Sequence, residues 1–249
     1  MARRIVDLAA LGDGTERVLE IGPGLGALTA LLAERAATLW LVEVDRDLAA
    51  RLQETYAAAP HVHVVEADVL ALDCAALLGP GPRAVVVANL PYNIATAVLA
   101  ALLAQAPAFA RLVVMVQREV AERLRAAPGS KTYGALSVLT QAAARVERGF
   151  RVSPAAFVPR PKVDSEVICI EPHPTAPVRI TDPAVFRRVV LTAFNQRRKQ
   201  LGNSLAGTLP DPANTLRALG IDPARRAETL TLAEFAAIAT AVAAAQPDA

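Results

Sequence analysis

Arg17-Val18-Leu19-Glu20-Ile21-Gly22-Pro23-Gly24-Leu25-Gly26 is the stretch from which the fold can be read. Its first five residues read as a short strand, which runs straight into a turn with glycine at every second position. Ala27 to Ala36 follows with helical composition. Strand, glycine turn, helix is the opening of a dinucleotide-type half-sheet, in which residues without Cβ let a ligand approach the backbone. The spacing is G-x-G-x-G behind an acid, not the G-x-G-x-x-G of nicotinamide enzymes. An ordinary turn between strand and helix is the competing reading, so the rest of the chain has to decide.

Outward from this turn the pattern repeats. Thr38 to Asp45 reads as a second strand, with Glu43 near its carboxyl end, about 20 residues past the glycines, where a carboxylate can grip ribose hydroxyls. Asp45 stands before Arg46 and Asp47, which look like the start of a helix, and suits an N-cap better. Val62 to Glu66 reads as a third strand, ended by Ala67-Asp68-Val69. There Asp68 can accept an adenine amino group while a backbone N–H reaches a ring nitrogen, or it can simply cap a turn. Polar anchors at three consecutive strand ends argue for a nucleoside site. The G-x-G-x-G spacing itself resembles the first motif of S-adenosylmethionine (SAM) dependent methyltransferases.

Arg83 to Ala88 is an apolar run that reads as a buried parallel strand, and Asn89-Leu90-Pro91-Tyr92 follows it directly. Open α/β sheets bind ligands at such carboxyl ends. The exocyclic amine of adenine is a poor nucleophile because its lone pair is delocalised into the ring. The Asn89 carboxamide oxygen and the carbonyl of Leu90 or Pro91 can each accept one of its N–H bonds, which aims the lone pair at an electrophile. Tyr92 can stack on the base, a contact worth roughly 1–3 kcal/mol. The plainer reading is a strand-to-loop turn with Asn and Pro present for geometry.

Further along, Arg111 to Gln117 reads as a fifth strand, Arg118 to Arg125 and Tyr133 to Arg145 as helices, and Val146 to Val152 with Val163 to Ile170 as a last pair of strands. The loop between that pair carries three prolines and Phe157, which can close on the second face of a base or plug the loop into the core. Glu171 to Pro183 is Pro-rich and suits a linker. Helices are expected at Pro183 to Phe194, Arg197 to Leu205, Pro212 to Leu219 and Leu232 to Ala245.

The 249 residues carry a formal net charge of only +2 and are 53% hydrophobic, enough for a substantial core. From Arg151 to Asn203, however, nine Arg or Lys face four Asp or Glu. A local basic band points to a polyanionic partner, although a solvated helix face is the commoner meaning of such runs. Arg160, Lys162, Arg187, Arg188, Arg197, Arg198 and Lys199 are its candidate phosphate contacts. Cys74 and Cys169 lack neighbours at metal-ligand spacing, so neither a disulfide framework nor a metal site is expected. The amino terminus does not read as a signal peptide and the Ala-rich tail is too short to span a bilayer, so a soluble cytoplasmic protein is expected.

Taken together, these residues resemble the ribosomal RNA adenine dimethyltransferase family, most closely its bacterial small-subunit branch. The likeness covers about Arg4 to Ala239 and is carried by Glu20 to Gly26, Asn89 to Thr96 and Phe157-Val158-Pro159-Arg160-Pro161-Lys162-Val163-Asp164-Ser165. Ala193 to Lys199 and Gly220 to Pro223 are similar to the small-subunit branch in particular. The resemblance implies an α/β fold, a Rossmann-like class I SAM-dependent methyltransferase sheet over residues 1–172, with a small C-terminal helical domain over 173–249. It implies SAM held by Glu20, Gly22, Gly24, Gly26, Glu43, Asp68, Val69 and Asn89, and a target amine held by Asn89, Leu90, Pro91 and Tyr92 with Phe157 stacking opposite. The family's substrates are two neighbouring adenosines in a hairpin loop near the 3′ end of 16S rRNA, each converted to N6,N6-dimethyladenosine late in small-subunit assembly. The partner expected is therefore 16S rRNA within the small ribosomal subunit, met by a monomer.

Family members also carry a basic N-terminal arm and a Gln-(Asn/His)-Phe-Leu motif that folds over the cofactor. Here Arg3-Arg4-Ile5-Val6 matches the helix after that motif, so weakened SAM binding is expected of this polypeptide. Three other functions compete. A large-subunit rRNA adenine methylase differs in the RNA it accepts. A non-catalytic RNA-binding assembly factor would bind subunits in a salt-sensitive way without turnover. A nicotinamide oxidoreductase rests on the glycine turn alone and leaves Asn89 to Tyr92 unexplained.

Overall fold

The computed structural model describes residues 1–12, 16–157, 160–196 and 199–245. It forms two units, one of residues 1–121 with 144–172 and the other of residues 122–143 with 173–249.

The first unit is built on a seven-stranded sheet of β1 (Arg17–Ile21), β2 (Thr38–Glu43), β3 (Val62–Glu66), β4 (Ala84–Asn89), β5 (Phe109–Gln117), β6 (Ala144–Val152) and β7 (Ser165–Pro172), in the order β3-β2-β1-β4-β5-β7-β6. The first five strands pair with one another in parallel, whereas β7 runs antiparallel to both β5 and β6. The apolar runs explain this layout. Ala84 to Ala88 are all buried, as a central parallel strand covered on both faces requires. The helices are α1 (Ala2–Leu8), α2 (Thr29–Ala33), α3 (Arg46–Thr55), α4 (Cys74–Leu78), α5 (Ala95–Ala104) and α6 (Arg118–Leu124), with the division between units falling inside α6. Ile5, Leu32, Leu39, Leu41, Val87 and Val113 share one core cluster of this unit.

The strand order reverses between β1 and β4, and open α/β sheets bind ligands at the carboxyl side of such a point. Register makes this concrete. Ile21 pairs with Ala88 on one side and with Val42 on the other, so Gly22 leaves the sheet between Asn89 and Glu43.

The second unit is helical, with α7 (Ala135–Ala143), α8 (Pro183–Asn195), α9 (Leu201–Ser204), α10 (Pro212–Ala218) and α11 (Leu232–Ala245). Phe194 lies between Tyr133, edge-on at 6.0 Å, and Phe235, stacked at 5.7 Å. The buried Tyr133 hydroxyl donates to the Leu230 carbonyl at 3.0 Å. Asp182 accepts from the Ala184 and Val185 N–H groups and so starts α8 as an N-cap.

Several expectations need correction. The helical unit is not 173–249 alone: residues 122–143 belong to it, because Tyr133 and Val138 are buried in the cluster that holds Phe186 and Phe235. Regular helix after the glycines covers only Thr29–Ala33, since turns occupy Gly24 to Leu28. The Arg197 to Leu205 helix reduces to Leu201–Ser204, and Arg197 and Arg198 lie outside the described residues. The helix α5 was not anticipated, because its Ala-Thr-Ala-Val-Leu-Ala-Ala-Leu-Leu-Ala sequence is apolar nearly all round and shows no amphipathic period. No helix among the described residues is long and apolar enough to cross a membrane.

Candidate active site

The glycine turn adopts the backbone that its sequence predicts. Gly22, Gly24 and Gly26 have φ of +64°, +57° and +83°, in the left-handed region that disfavours other residues. A Cβ added at Gly22 or Gly24 would meet no atom within 4 Å, so both face open space. Gly26 differs. A Cβ there would make ordinary van der Waals contact with Thr29 and Leu52, so its positive φ and not crowding is what favours glycine.

Glu43, at the end of β2, is 5% exposed and both its oxygens are engaged. Oε2 accepts from the Gly24 N–H at 3.0 Å and Oε1 from the Asp45 N–H at 3.0 Å. Each oxygen retains a second lone-pair site for a ribose hydroxyl. Asp45 is the N-cap of α3, accepting from Asp47 and Leu48. Asp68 is exposed, and its Oδ1 accepts from the Leu70 N–H at 2.9 Å, a turn-capping bond. Val69 beside it is buried.

Glu20 is the buried acid of the turn, 2% exposed. Among the described residues its Oε2 has no hydrogen-bond partner, and neither does the buried hydroxyl of Thr29. Burial pushes the Glu20 carboxyl up from its ordinary 4.5 to about 7. The Thr29 hydroxyl opposes this shift, being close enough to help although outside hydrogen-bonding geometry, and the negative Glu43 adds to it. A buried carboxyl oxygen without a partner is unusual and calls for a ligand or a proton. Leu25 and Val44 flank the turn at 80% and 69% exposure, apolar surface that a bound nucleoside would cover. The open glycines, the acceptors of Glu43, the unpaired Glu20 oxygen and this apolar rim together fit SAM, a cationic nucleoside with a ribose diol.

Asn89 closes β4 with its side chain exposed, and among the described residues its carboxamide makes no hydrogen bond. The following turn treats the two carbonyls differently. The Pro91 carbonyl already accepts from the Ile94 and Ala95 N–H groups at 3.2 and 2.9 Å, starting α5. The Leu90 carbonyl accepts none among the described residues, so it is the free acceptor, while the Leu90 side chain is buried as an anchor. Tyr92 is half-buried, and its hydroxyl lies 2.6 Å from Oγ of Ser165. Ser165 ends the Phe157 to Ser165 motif, and nothing in the sequence assigns it a role. A hydroxyl at the head of an apolar strand was the only available signal.

Phe157 follows a turn at Pro154–Ala156 and is half-buried, packed against the core of the first unit. Its motif neighbours Val158 and Pro159 lie outside the described residues. Arg160 and Lys162 are exposed in the first unit, and Arg187, Arg188 and Lys199 in the second.

The comparisons agree with this geometry. A family model described as ribosomal RNA adenine dimethylase matches residues 1–244. The ribosomal RNA small subunit methyltransferase A of Geobacter sulfurreducens is 48% identical over 242 residues, covering 94% of this chain and 87% of that protein. Of solved structures, a dimethyladenosine transferase from Plasmodium falciparum matches with a TM-score of 0.78 at 23% identity, over 95% of this chain and 93% of that one, and shows the shared fold. The 23S rRNA methyltransferase ErmE matches with a TM-score of 0.65 at 26% identity, over 97% and 96% of the two chains. With its class I methyltransferase sheet and a turn fitted to SAM, the chain belongs to the ribosomal RNA adenine dimethylase family.

Proposed function

We propose that this protein transfers methyl groups from SAM to the N6 atoms of two adjacent adenosines in the 3′-terminal hairpin loop of 16S rRNA, each to the dimethyl stage, during small-subunit biogenesis. The observation that carries the reading is the pairing of Ile21 with Ala88, which sets the exposed Asn89 beside the open glycine turn. The 48% identity to a small-subunit methyltransferase, against 26% to ErmE, favours the small subunit over the large.

Bound SAM supplies an activated methyl group on a sulfonium, which is a good leaving group. The chain supplies orientation. Glu43 and the glycine turn hold the nucleoside end, and Asp68 with Val69 meets the adenine edge. The target adenosine leaves its stack, as enzymes acting on base atoms require. The Asn89 carboxamide oxygen and the Leu90 carbonyl accept the two N–H bonds of its amine, so the lone pair points at the methyl. Tyr92 takes one face of the base and the exposed part of Phe157 the other. No strong general base is needed, because the attacking nitrogen becomes acidic once alkylated and its proton passes to solvent. Positioning and fixed dipoles account for most of the acceleration. Arg160, Lys162, Arg187, Arg188 and Lys199 contribute phosphate contacts that set position without reading sequence. Arg197 and Arg198 are assigned there from sequence alone.

The test is methyl transfer from labelled SAM to small subunits lacking the modification, with large-subunit RNA in parallel and nucleoside mass spectrometry of the products. N6,N6-dimethyladenosine in 16S rRNA is expected. Product only in large-subunit RNA would shift the reading to the other branch. Salt-sensitive subunit binding with no product on either RNA would leave an assembly factor.

A further inference from the structure

Ser165 stands apart from the residues used so far, because it is fully buried, polar and bonded to the substrate-facing turn. It opens β7 and is paired in register with Gln117 of β5 and Val152 of β6, so its backbone is held from both sides. Its Oγ meets the Tyr92 hydroxyl at 2.6 Å across 73 residues of sequence, and either oxygen can be the donor. Tyr92 itself sits on a turn, half-buried, where its ring would otherwise choose among rotamers. Freezing such a ring when the base arrives costs binding free energy, and a ring already fixed avoids that cost. The bond also occupies the phenol, so what Tyr92 offers a substrate is its face.

We propose that Ser165 is a positioning residue for target-base capture, its hydroxyl holding the Tyr92 ring in the orientation that receives the adenine. The inference rests on the proposed function, in which Tyr92 stacks on the base. A serine that merely fills β7 would affect unfolding and leave RNA kinetics per folded molecule unchanged. A positioning serine acts only through Tyr92.

The experiment compares the full chain with Ser165→Ala, Tyr92→Phe, the double variant and Tyr92→Ala. It measures kcat and KM for small-subunit RNA, SAM affinity by calorimetry, and thermal unfolding. Ser165→Ala and Tyr92→Phe should each lower kcat/KM for RNA about five- to tenfold, the scale of one net hydrogen bond. The double variant should lose no more than either single one, with SAM affinity unchanged. Losses that multiply in the double variant, or normal kinetics for both single variants, overturn the proposal. Should Ser165→Ala fail to fold, Tyr92→Phe removes the same bond from the exposed end, and wild-type kinetics there overturn it equally. Full activity of Tyr92→Ala would instead remove the stacking role on which the proposal rests. An inactive Tyr92→Ala beside normal Tyr92→Phe and Ser165→Ala would sink Ser165 alone.

Discussion

The Glu43 carboxylate accepts a hydrogen bond from the Gly24 N–H at 3.0 Å, tying the end of β2 to the middle of the glycine turn. The acid expected to grip a ribose therefore also shapes the loop over which the cofactor would lie. Charge-assisted bonds of this kind contribute about 1.5–3 kcal/mol, and the Glu43 carboxylate that accepts them is itself buried. Glu43→Ala leaves the Gly24 and Asp45 N–H groups unpaired and removes the diol acceptor. SAM affinity measured by calorimetry should fall on the order of a hundredfold, with a lowered unfolding temperature. Unchanged affinity would separate Glu43 from the cofactor site.

Glu20 makes stability depend on pH in an unusual direction. Its carboxyl titrates near 7 in the folded chain and near 4.5 when unfolded, so the folded state binds the proton more tightly. Between those values stability falls as pH rises, by on the order of 3 kcal/mol from this group in the ligand-free protein. Below about 4.5 both states are protonated and the penalty is absent; above about 7 it is complete. Glu20→Gln should therefore unfold at a higher temperature than wild type at pH 8 and at nearly the same temperature at pH 4.5. Parallel pH profiles for the two proteins would contradict the raised pKa.

Gly24→Ala tests the turn itself. At φ +57° an alanine costs about 1–2 kcal/mol, and its methyl enters the open space before the loop. Gly129 provides a control, with φ +81° and equally open surroundings but in the helical unit. Both alanine variants should lose similar stability in denaturant titrations, whereas only Gly24→Ala should lose SAM affinity, by tenfold or so. Equal affinities would mean that the cofactor does not approach this glycine.

Asn89→Ala removes the unengaged carboxamide at the end of β4. The single-turnover rate should fall about 10²- to 10³-fold, the usual cost of one preorganised polar group at a reacting centre. RNA retention on filters should stay near wild type. Loss of rate and retention together would assign Asn89 to RNA binding and not to amine orientation.

The sequence alone determined the parallel half-sheet, the glycine turn and the placement of Glu43 and Asn89 at strand ends. Those features are local: an apolar run of five or six residues makes a buried strand, and its successor stands at the strand's carboxyl end whatever surrounds it. Asp45 was legible as a cap for the same reason, since its bonds reach only to Asp47 and Leu48. The tertiary structure decided the rest. It placed β7 between β5 and β6, and it drew residues 122–143 into the helical unit through Tyr133 and Val138. It occupied the Pro91 carbonyl and, among the described residues, left that of Leu90 free. It set Gly26 beside Thr29 and Leu52, left the Glu20 Oε2 without a hydrogen-bond partner among the described residues, and joined Tyr92 to Ser165. Each of these depends on which groups meet after the chain has packed, and partners 73 residues apart leave no period or spacing in the sequence to announce them.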